Sequence, residues 1–427
     1  MTEEASFSAP RGTYDLIPPD SWRWEHLRAV ALDDVFAAAG YQPIETPVFE
    51  HTEVFSRGVG AASEVVTKQM YTFEDRGGRS LTLRPEGTAP VMRSVLEHGL
   101  ERGPLPAKLS YAIPMFRQER PQKGRYRQFW QLGIEAIGTE SPVVDAEVIE
   151  IGMRYLTGVG LDATLMLNSI GHPGDGCRAT YLEALTAFLR EHENEIAVED
   201  RDRIRLNPLR TFDSKEAATI AVMEGAPLIS EHLCSDCRAH FGAVTDLLDV
   251  AGVSYTLEPR LVRGLDYYTR TTFEFVASGL GAQDSVGGGG RYDGLAEALG
   301  GPRLPGIGFA LGADRILLAG GASQVSDHHP RAYVVTLGDE ARTAGFRIVS
   351  ALRARGVAAE MDLGARGMKG QMKDADRSGA DLVVIVGESE LASGTATIKD
   401  LRSGRQIESP LDTIDEDLAT GAIDLDA

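Results

Sequence analysis

Cysteine is scarce in this chain: three in 427 residues, too few for a disulfide scaffold and suited to a reducing compartment. No apolar run approaches the ~20 residues of a membrane span. The opening MTEEASFSAPRG has neither a charged leader segment nor an apolar stretch, which predicts a cytoplasmic protein. Internal repeats and low-complexity tracts are absent. Neither familiar nucleotide loop is complete. GGGG at 287–290 has no Lys-Ser/Thr after it, so the P-loop motif is missing. GIGFALG, with Gly306, Gly308 and Gly312, misses the dinucleotide fingerprint by one residue. Taken alone, each glycine run reads as a flexible turn.

Positive charge is also in deficit: 43 Lys/Arg stand against 63 Asp/Glu, a net charge of -20. Such a balance argues against a polyanionic partner unless the bases cluster. They do, in residues 116–131, FRQERPQKGRYRQFWQ. Arg117, Arg120, Lys123, Arg125 and Arg127 share that stretch with a single acid, Glu119. LSYAIPMF precedes the cluster and FWQLGIEAIG follows it. Both read as strands, and Pro121 and Gly124 between them mark a turn. The expected object is a hairpin with an arginine-rich loop. Planar guanidinium groups suit bidentate contacts with phosphate.

The cysteines raise the question of metal. LCSDCRAHF holds Cys234, Cys237 and His240, but a structural zinc site needs four ligands. Cys177, His172 or His232 complete such a set only through a fold-back of the chain. The expectation is two reduced cysteines at helical spacing, and no metal.

Length predicts two or three domains. Asp20 is placed to cap a helix from Ser21 to Ala39, with Gly40 as its terminator. YQPIETPVFE then alternates like a strand, and LTLRPEGTAPVMRSVL reads as strand, turn and helix. From His172 to Leu257 the pattern turns helical and polar, which predicts an inserted subdomain. LVRGLDYYTRTTFEFV returns to strand character. GGASQVSDHHP reads as a linker, and strands and helices alternate beyond it. The expected domains are a catalytic unit at 1–322 with a helical insertion at 172–257, a linker at 323–330, an α/β domain at 331–408 and a tail at 409–427. The α/β segment is near neutral, with twelve bases and eleven acids, whereas the tail has six acids and no base.

Several of these segments resemble the class II aminoacyl-tRNA synthetases. The strand with Thr46-Pro47 is similar to motif 1, which builds the dimer interface in that class. The basic hairpin is similar to motif 2, and GIGFALGADRI to motif 3. LVRGLDYYTRTTFEF and GGGGRYDGL resemble the signatures of the histidyl-tRNA synthetase family, as do RGTYD, LRPEGTAP and RPQKGRYRQF. The resemblance runs from Pro10 to about Ile407. It implies an α+β core built on an antiparallel sheet, a helical insertion, a C-terminal α/β anticodon-binding domain, and a homodimer. It also implies ATP-dependent joining of histidine to tRNA(His) through an adenylate, with Mg2+ entering bound to ATP.

The site residues follow from the same resemblance. Arg117 and Arg263 are the implied catalytic cations at the carboxylate and α-phosphate. Glu86, Gly87, Thr88 and Gln131 would hold the histidine ammonium. Glu135 and Tyr268 would read the imidazole, with Tyr267 packing the pocket. Glu119, Phe129 and Arg315 complete the ATP site with Arg117, and Phe129 would stack under adenine. Gln122 and Arg125 would face the acceptor stem. Arg366, Lys369 and Lys373 are candidates for anticodon contact. A catalytically dead relative, such as a regulatory subunit of ATP phosphoribosyltransferase, is the alternative. Those paralogues lack the anticodon domain and lose the phosphate-binding arginines, and this chain keeps both.

Overall fold

The computed structural model describes residues 7–60, 63, 65–173, 176–280, 284–325, 329–364 and 366–421, which form two compact units, Met1–Val325 and Ser326–Ala427. The first unit's strands, in chain order, are β1 Gln42–Pro43, β2 Phe49–His51, β3 Tyr71–Glu74, β4 Ser80–Leu83, β5 Ala107–Phe116, β6 Gln128–Ile137, β7 Ala163–Ser169, β8 Tyr255–Leu257, β9 Thr269–Ala277, β10 Ser285–Arg291 and β11 Gly306–Gly312. Eight of them make one sheet, in the order β1-β5-β6-β11-β10-β9-β7-β8. Its central pairings are antiparallel, and only the outermost pairs, β1 with β5 and β7 with β8, are parallel. β2, β4 and β3 form a separate antiparallel sheet.

The two faces of the large sheet differ in composition, and that difference places the site. Period-two alternation sends Leu132, Ile134 and Ala136 of β6, Phe273 and Phe275 of β9, and Ile307, Phe309 and Leu311 of β11 into one core. The helix Pro142–Gly158 covers this face with Ile149 and Tyr155. Ser141 starts that helix by accepting the Val143 N–H, with Pro142 in the first turn. The opposite face carries Gln131, Gly133 and Glu135 on β6 and Gly308 and Gly312 on β11, with Gly288 of β10 paired beside Ala310. On this face Gly288, Gly308 and Gly312 bring sheet backbone to a cavity, while Tyr111 and Glu135 fill the space beside Gly133 and Gly308.

The hairpin expectation holds: β5 and β6 pair along their whole length on either side of the basic loop. GGGG does not. It lies extended within β10, between β9 and β11, rather than in a turn. A Cβ on Gly289 would stand 1.9 Å from the Gly308 carbonyl oxygen, so close strand packing is what requires glycine there. The first helix is also less regular than expected: α-helical turns at Asp20–Ala29 and Phe36–Ala38 flank a π-helical stretch at Val30–Val35.

The insertion is helical, from Cys177–Glu191 to Ser235–Val250. Its predicted end shifts, because Tyr255–Leu257 joins the large sheet beside β7.

In the second unit, β12 Ala332–Thr336, β13 Ala359–Met361, β14 Leu382–Val386, β15 Thr395–Asp400 and β16 Gln406–Pro410 are ordered β13-β12-β14-β15-β16. The first three are parallel, but β15 and β16 join antiparallel, so the sheet is mixed. The predicted acidic tail is largely structure. Ser409 pairs within β16, and the helix Ile414–Thr420 buries Ile414 and Leu418 in the core of this unit. Residues 422–427 of that tail, and 326–328 of the predicted linker, lie outside the described residues.

Candidate active site

A cavity of about 720 Å³ opens above the glycine-rich face of the large sheet. Glu86, Gly87, Thr88, Arg117, Glu119, Arg125, Phe129, Gln131, Arg263, Tyr267, Tyr268 and Arg315 all line it. Twelve candidates that the sequence scatters over some 230 positions thus meet in one place. Glu135 and Gln122 do not reach its surface. Glu135 lies just beneath the lining, and Gln122 is exposed at the tip of the basic loop.

The LRPEGT turn supplies the floor. Glu86 is 2 % exposed and accepts the N–H groups of Thr88 (2.8 Å) and Ala89 (2.9 Å). Its carboxylate thereby satisfies the first turn of the helix Thr88–His98, which Gly87 cannot cap with a side chain. Burial raises its pKa, and those two N–H donors pull the other way. Tyr267 donates to the same carboxylate at 3.4 Å.

Glu135 is fully buried and surrounded by hydroxyls. Thr88 (2.8 Å) and Tyr111 (3.2 Å) donate to Oε1, and Tyr292 (2.6 Å) donates to Oε2. A Cβ at Gly308 would sit 2.0 Å from Oε2, so only glycine leaves room for the carboxyl group. Desolvation pushes Glu135 up from its ordinary 4.5 to about 8, against the hydroxyl donors. Folded, this group keeps its proton to about pH 8; unfolded, it loses it near 4.5. Within that window the folded chain holds the extra proton, so this group makes stability fall as pH rises. Glu135→Gln removes the titration. Thermal melts across the window should show a flatter dependence for the variant, and an unchanged slope would refute the assignment.

Tyr111 and Tyr292 were not among the residues expected here. Tyr292 stands inside the GGGGRYDGL segment, and its character as an oxygen donor was the available signal. Tyr111 offered less. Its clue is the small residue opposite, since it pairs with Gly133, and a Cβ there would meet the Tyr111 ring at 2.4 Å.

The cations come from three directions. Arg117 follows β5, and its Nε donates to the Pro85 carbonyl at 2.8 Å. Its guanidinium lies 5.1 Å from the Phe129 ring centroid, a cation–π contact, and 3.7 Å from Glu119. Burial lowers its pKa. Arg263 donates from Nη1 to Glu274 at 2.7 Å, while its Nε is buried with no hydrogen-bond partner. Burial opposes its charge, but Glu274, together with Tyr268 and Asp213, outweighs that and raises its pKa. Arg315 bridges the carbonyls of Ser285 and Gly124, joining β10 to the turn of the basic loop. That turn is tight, since Gln122 and Arg125 exchange backbone hydrogen bonds and Gly124 has φ +76°. Arg125 pairs with Glu119 at 3.5 Å. Gln131 presents a buried Oε1 with no hydrogen-bond partner among the described residues, an acceptor that can take a donor.

RGTYD props up the loop from below. Arg127 N–H donates to the Gly12 carbonyl at 2.7 Å, and Tyr14 hydrogen-bonds Asp314, which also accepts the Trp130 N–H at 3.0 Å. In the second unit, Arg366 is engaged by Asp362 and Asp374, while Lys369 and Lys373 are exposed on the helix Met368–Ser378.

Comparison with known proteins agrees with this architecture. Residues 12–316 match the histidyl-tRNA synthetase family model, and 331–419 match the anticodon binding domain. The chain belongs to the histidyl-tRNA synthetase family. The histidine--tRNA ligase of Corynebacterium kroppenstedtii is 50% identical over 412 residues, 96% of each chain. That of Halothermothrix orenii is 47% identical over 415 residues, 96% of this chain and 98% of the relative. Among solved structures, apo histidyl-tRNA synthetase from S. aureus aligns with a TM-score of 0.81 at 37% identity, covering 97% of this chain and all of that one. The family match extends to 419, past the boundary expected at 408, in keeping with the buried C-terminal helix.

Proposed function

We infer that this chain ligates L-histidine to tRNA(His) at the expense of ATP, through a histidyl-adenylate. The observation that carries the reading is one cavity holding both kinds of charge the reaction needs, in a chain of this family. The carboxyl groups of Glu86 and Glu274 line it together with the largely buried guanidinium groups of Arg117 and Arg263, and Glu135 lies just beneath the lining.

In the first step a histidine carboxylate oxygen attacks the α-phosphorus, and the bond to the diphosphate breaks. Two anions must approach, so the cations lower the barrier by meeting charge as it develops. Arg117 and Arg263 take that role in this proposal. The Nε of Arg263 has a donor to offer without breaking its Glu274 pair. Phe129 stacks adenine and Arg315 meets the distal phosphates. Gln131 Oε1 and the Glu86 carboxylate accept from the ammonium, beside Thr88 and Gly87. Tyr268 reads the imidazole from the cavity lining, and Glu135 beneath it acts through the hydroxyls it orients, Thr88 and Tyr292. A pocket of buried polar groups rejects apolar competitors because they leave those groups unpaired. In the second step the terminal ribose hydroxyl of tRNA attacks the carbonyl carbon and AMP departs. Gln122 and Arg125 lie on the loop toward the acceptor stem.

Magnesium suits the donor set as an ion carried in by ATP. Of the acids lining the cavity, Glu119 and Glu274 would hold it, and both already face arginines. Bound there, it would neutralise β- and γ-phosphate charge.

Isotope exchange between pyrophosphate and ATP tests the whole reading. Histidine alone among the twenty amino acids should drive it, and stimulation by another amino acid with none by histidine would overturn it. The regulatory-subunit alternative finds no support in a cavity that retains Arg117, Arg263 and Arg315.

The proposal includes a homodimer and a cytoplasmic location. Phe49 is 50% exposed and Phe73 43% exposed on the small sheet, with ring centroids 6.3 Å apart. Paired exposed aromatics on one sheet suit a two-fold contact. Arg84, fully buried, donates to the carbonyls of Thr46 and Pro47 and so holds the irregular segment between β1 and β2, where a single strand was expected. The double change Phe49→Asp and Phe73→Asp should shift sedimentation to the monomer and cut aminoacylation at least tenfold. A variant that sediments as wild type would remove this surface from consideration. Three free thiols agree with a reducing compartment, and among the described residues no helix is long and apolar enough to cross a membrane.

A further inference from the structure

The fold-back that the cysteine spacing demanded does occur. His172, just past β7, Cys177 at the start of the helix Cys177–Glu191, and Cys234 and Cys237 at the start of Ser235–Val250 converge. Their four ligand atoms lie within 4.8 Å of one another. The expected partners do not join them: His240 instead bonds Asp145 at 2.7 Å, and His232 packs against Tyr181. We propose that His172, Cys177, Cys234 and Cys237 form a structural zinc site that clasps the helical insertion to the histidine pocket.

Geometry favours a metal over three thiols merely packed in a core. The Nδ1 atom of His172 faces every sulfur, at 3.1 Å from Cys237, 3.5 Å from Cys177 and 3.8 Å from Cys234. A tetrahedral zinc with bonds of about 2.0 Å to nitrogen and 2.3 Å to sulfur sets those edges at about 3.5 Å. The three distances bracket that figure. Three sulfurs and one imidazole nitrogen make a complete structural set with no open position.

The backbone is arranged for it as well. Cys234 caps its helix, its sulfur accepting the Cys237 N–H at 3.4 Å, and a helix N-terminus stabilises thiolate. Glycines open the space beside the other two ligands. A Cβ on Gly171 would lie 2.7 Å from the Cys177 sulfur, and one on Gly176 would lie 2.0 Å from His172 Nε2. Gly171 also has φ +64°.

The link to the active site runs through Arg178, next in chain to Cys177. It donates to the carbonyls of Tyr268 (2.7 Å), Ile170 (3.1 Å) and Gly171 (3.2 Å). A metal that fixes Cys177 therefore fixes the backbone beneath Tyr268.

The test uses the full chain, purified reduced from zinc-supplemented cells. Elemental analysis should find one zinc per chain. Replacement by cobalt should give the visible bands of a tetrahedral thiolate site. Cys177→Ser and Cys237→Ser should each lose the metal. Since those variants risk misfolding, Cys234→His serves as the second arm: it should keep the metal and show weaker sulfur-to-cobalt charge transfer. His240→Gln should leave the stoichiometry unchanged. Metal content below one tenth per chain, with no cobalt bands on titrating the reduced folded protein, would overturn the proposal. A Cys234–Cys237 disulfide in freshly isolated protein would do so too.

Discussion

Arg263→Ala should abolish histidine-dependent pyrophosphate exchange while leaving the chain folded. Its guanidinium is buried in the cavity wall, held by Glu274 through Nη1. Removing one preorganised donor of this kind costs roughly a hundredfold to a thousandfold in rate. The loss here should reach the upper end, because the variant also strands Glu274. That carboxylate would then face incoming triphosphate without its counter-charge, adding repulsion to the lost attraction. Arg263→Lys keeps the charge but cannot offer a fork of donors, so it should recover little. The effect should appear in kcat, since the interaction strengthens as the anions meet. Near-normal exchange in Arg263→Ala, with the melting temperature unchanged, would remove Arg263 from the chemistry. Glu135→Gln should behave differently. It changes the acceptor that Thr88, Tyr111 and Tyr292 share beneath the imidazole pocket, so kcat/KM for histidine should fall about tenfold, less than the loss from Arg263→Ala.

The contrast between these two residues shows what was readable from sequence. Arg263 and Arg117 stand in segments whose order of residue types is distinctive, and the structure brings both to the cavity. The β5–β6 hairpin was readable because strand alternation and turn residues are local signals. Glu135 was placed in the pocket as a direct reader of imidazole, yet it lies under the lining behind Thr88, Tyr111 and Tyr292. Depth beneath a surface is a tertiary property, and a strand pattern does not encode it. The glycines of β10 misled for a related reason. Glycine signals a turn when read locally, but at Gly289 the requirement comes from the neighbouring strand. The cysteine cluster was weighed in the sequence and set aside, because Cys177 and His172 could complete it only through a fold-back. Its ligands come from the segment after β7, the start of the helix Cys177–Glu191 and the start of Ser235–Val250, and only the packing of the insertion unites them. The acidic tail was misjudged because six acids outweighed two buried apolar residues, Ile414 and Leu418, in its reading.

Asp145→Ala should destabilise the first unit by about 3–5 kcal/mol, the usual cost of stranding a buried charge. Asp145 and Arg291 are both fully buried. The carboxylate accepts from Arg291 Nε at 2.8 Å, from His240 at 2.7 Å and from Thr271 at 2.7 Å. It therefore joins the helix covering the apolar face of the sheet to β9, β10 and the last helix of the insertion. Arg291 also donates to Asp293 at 2.9 Å and to the Thr139 carbonyl at 3.0 Å. Those partners would remain in the variant, but they cannot replace the lost anion at the centre. A melting temperature lower by roughly 5–10 °C is the expected reading. A double-mutant cycle distinguishes this network from simple packing. Asp145→Leu with Arg291→Met removes both charges together, and buried pairs replaced by apolar groups are often neutral. The double variant should recover most of the stability lost by Asp145→Leu alone. Additive losses would mean that the two side chains act independently, and that volume rather than charge holds these elements together.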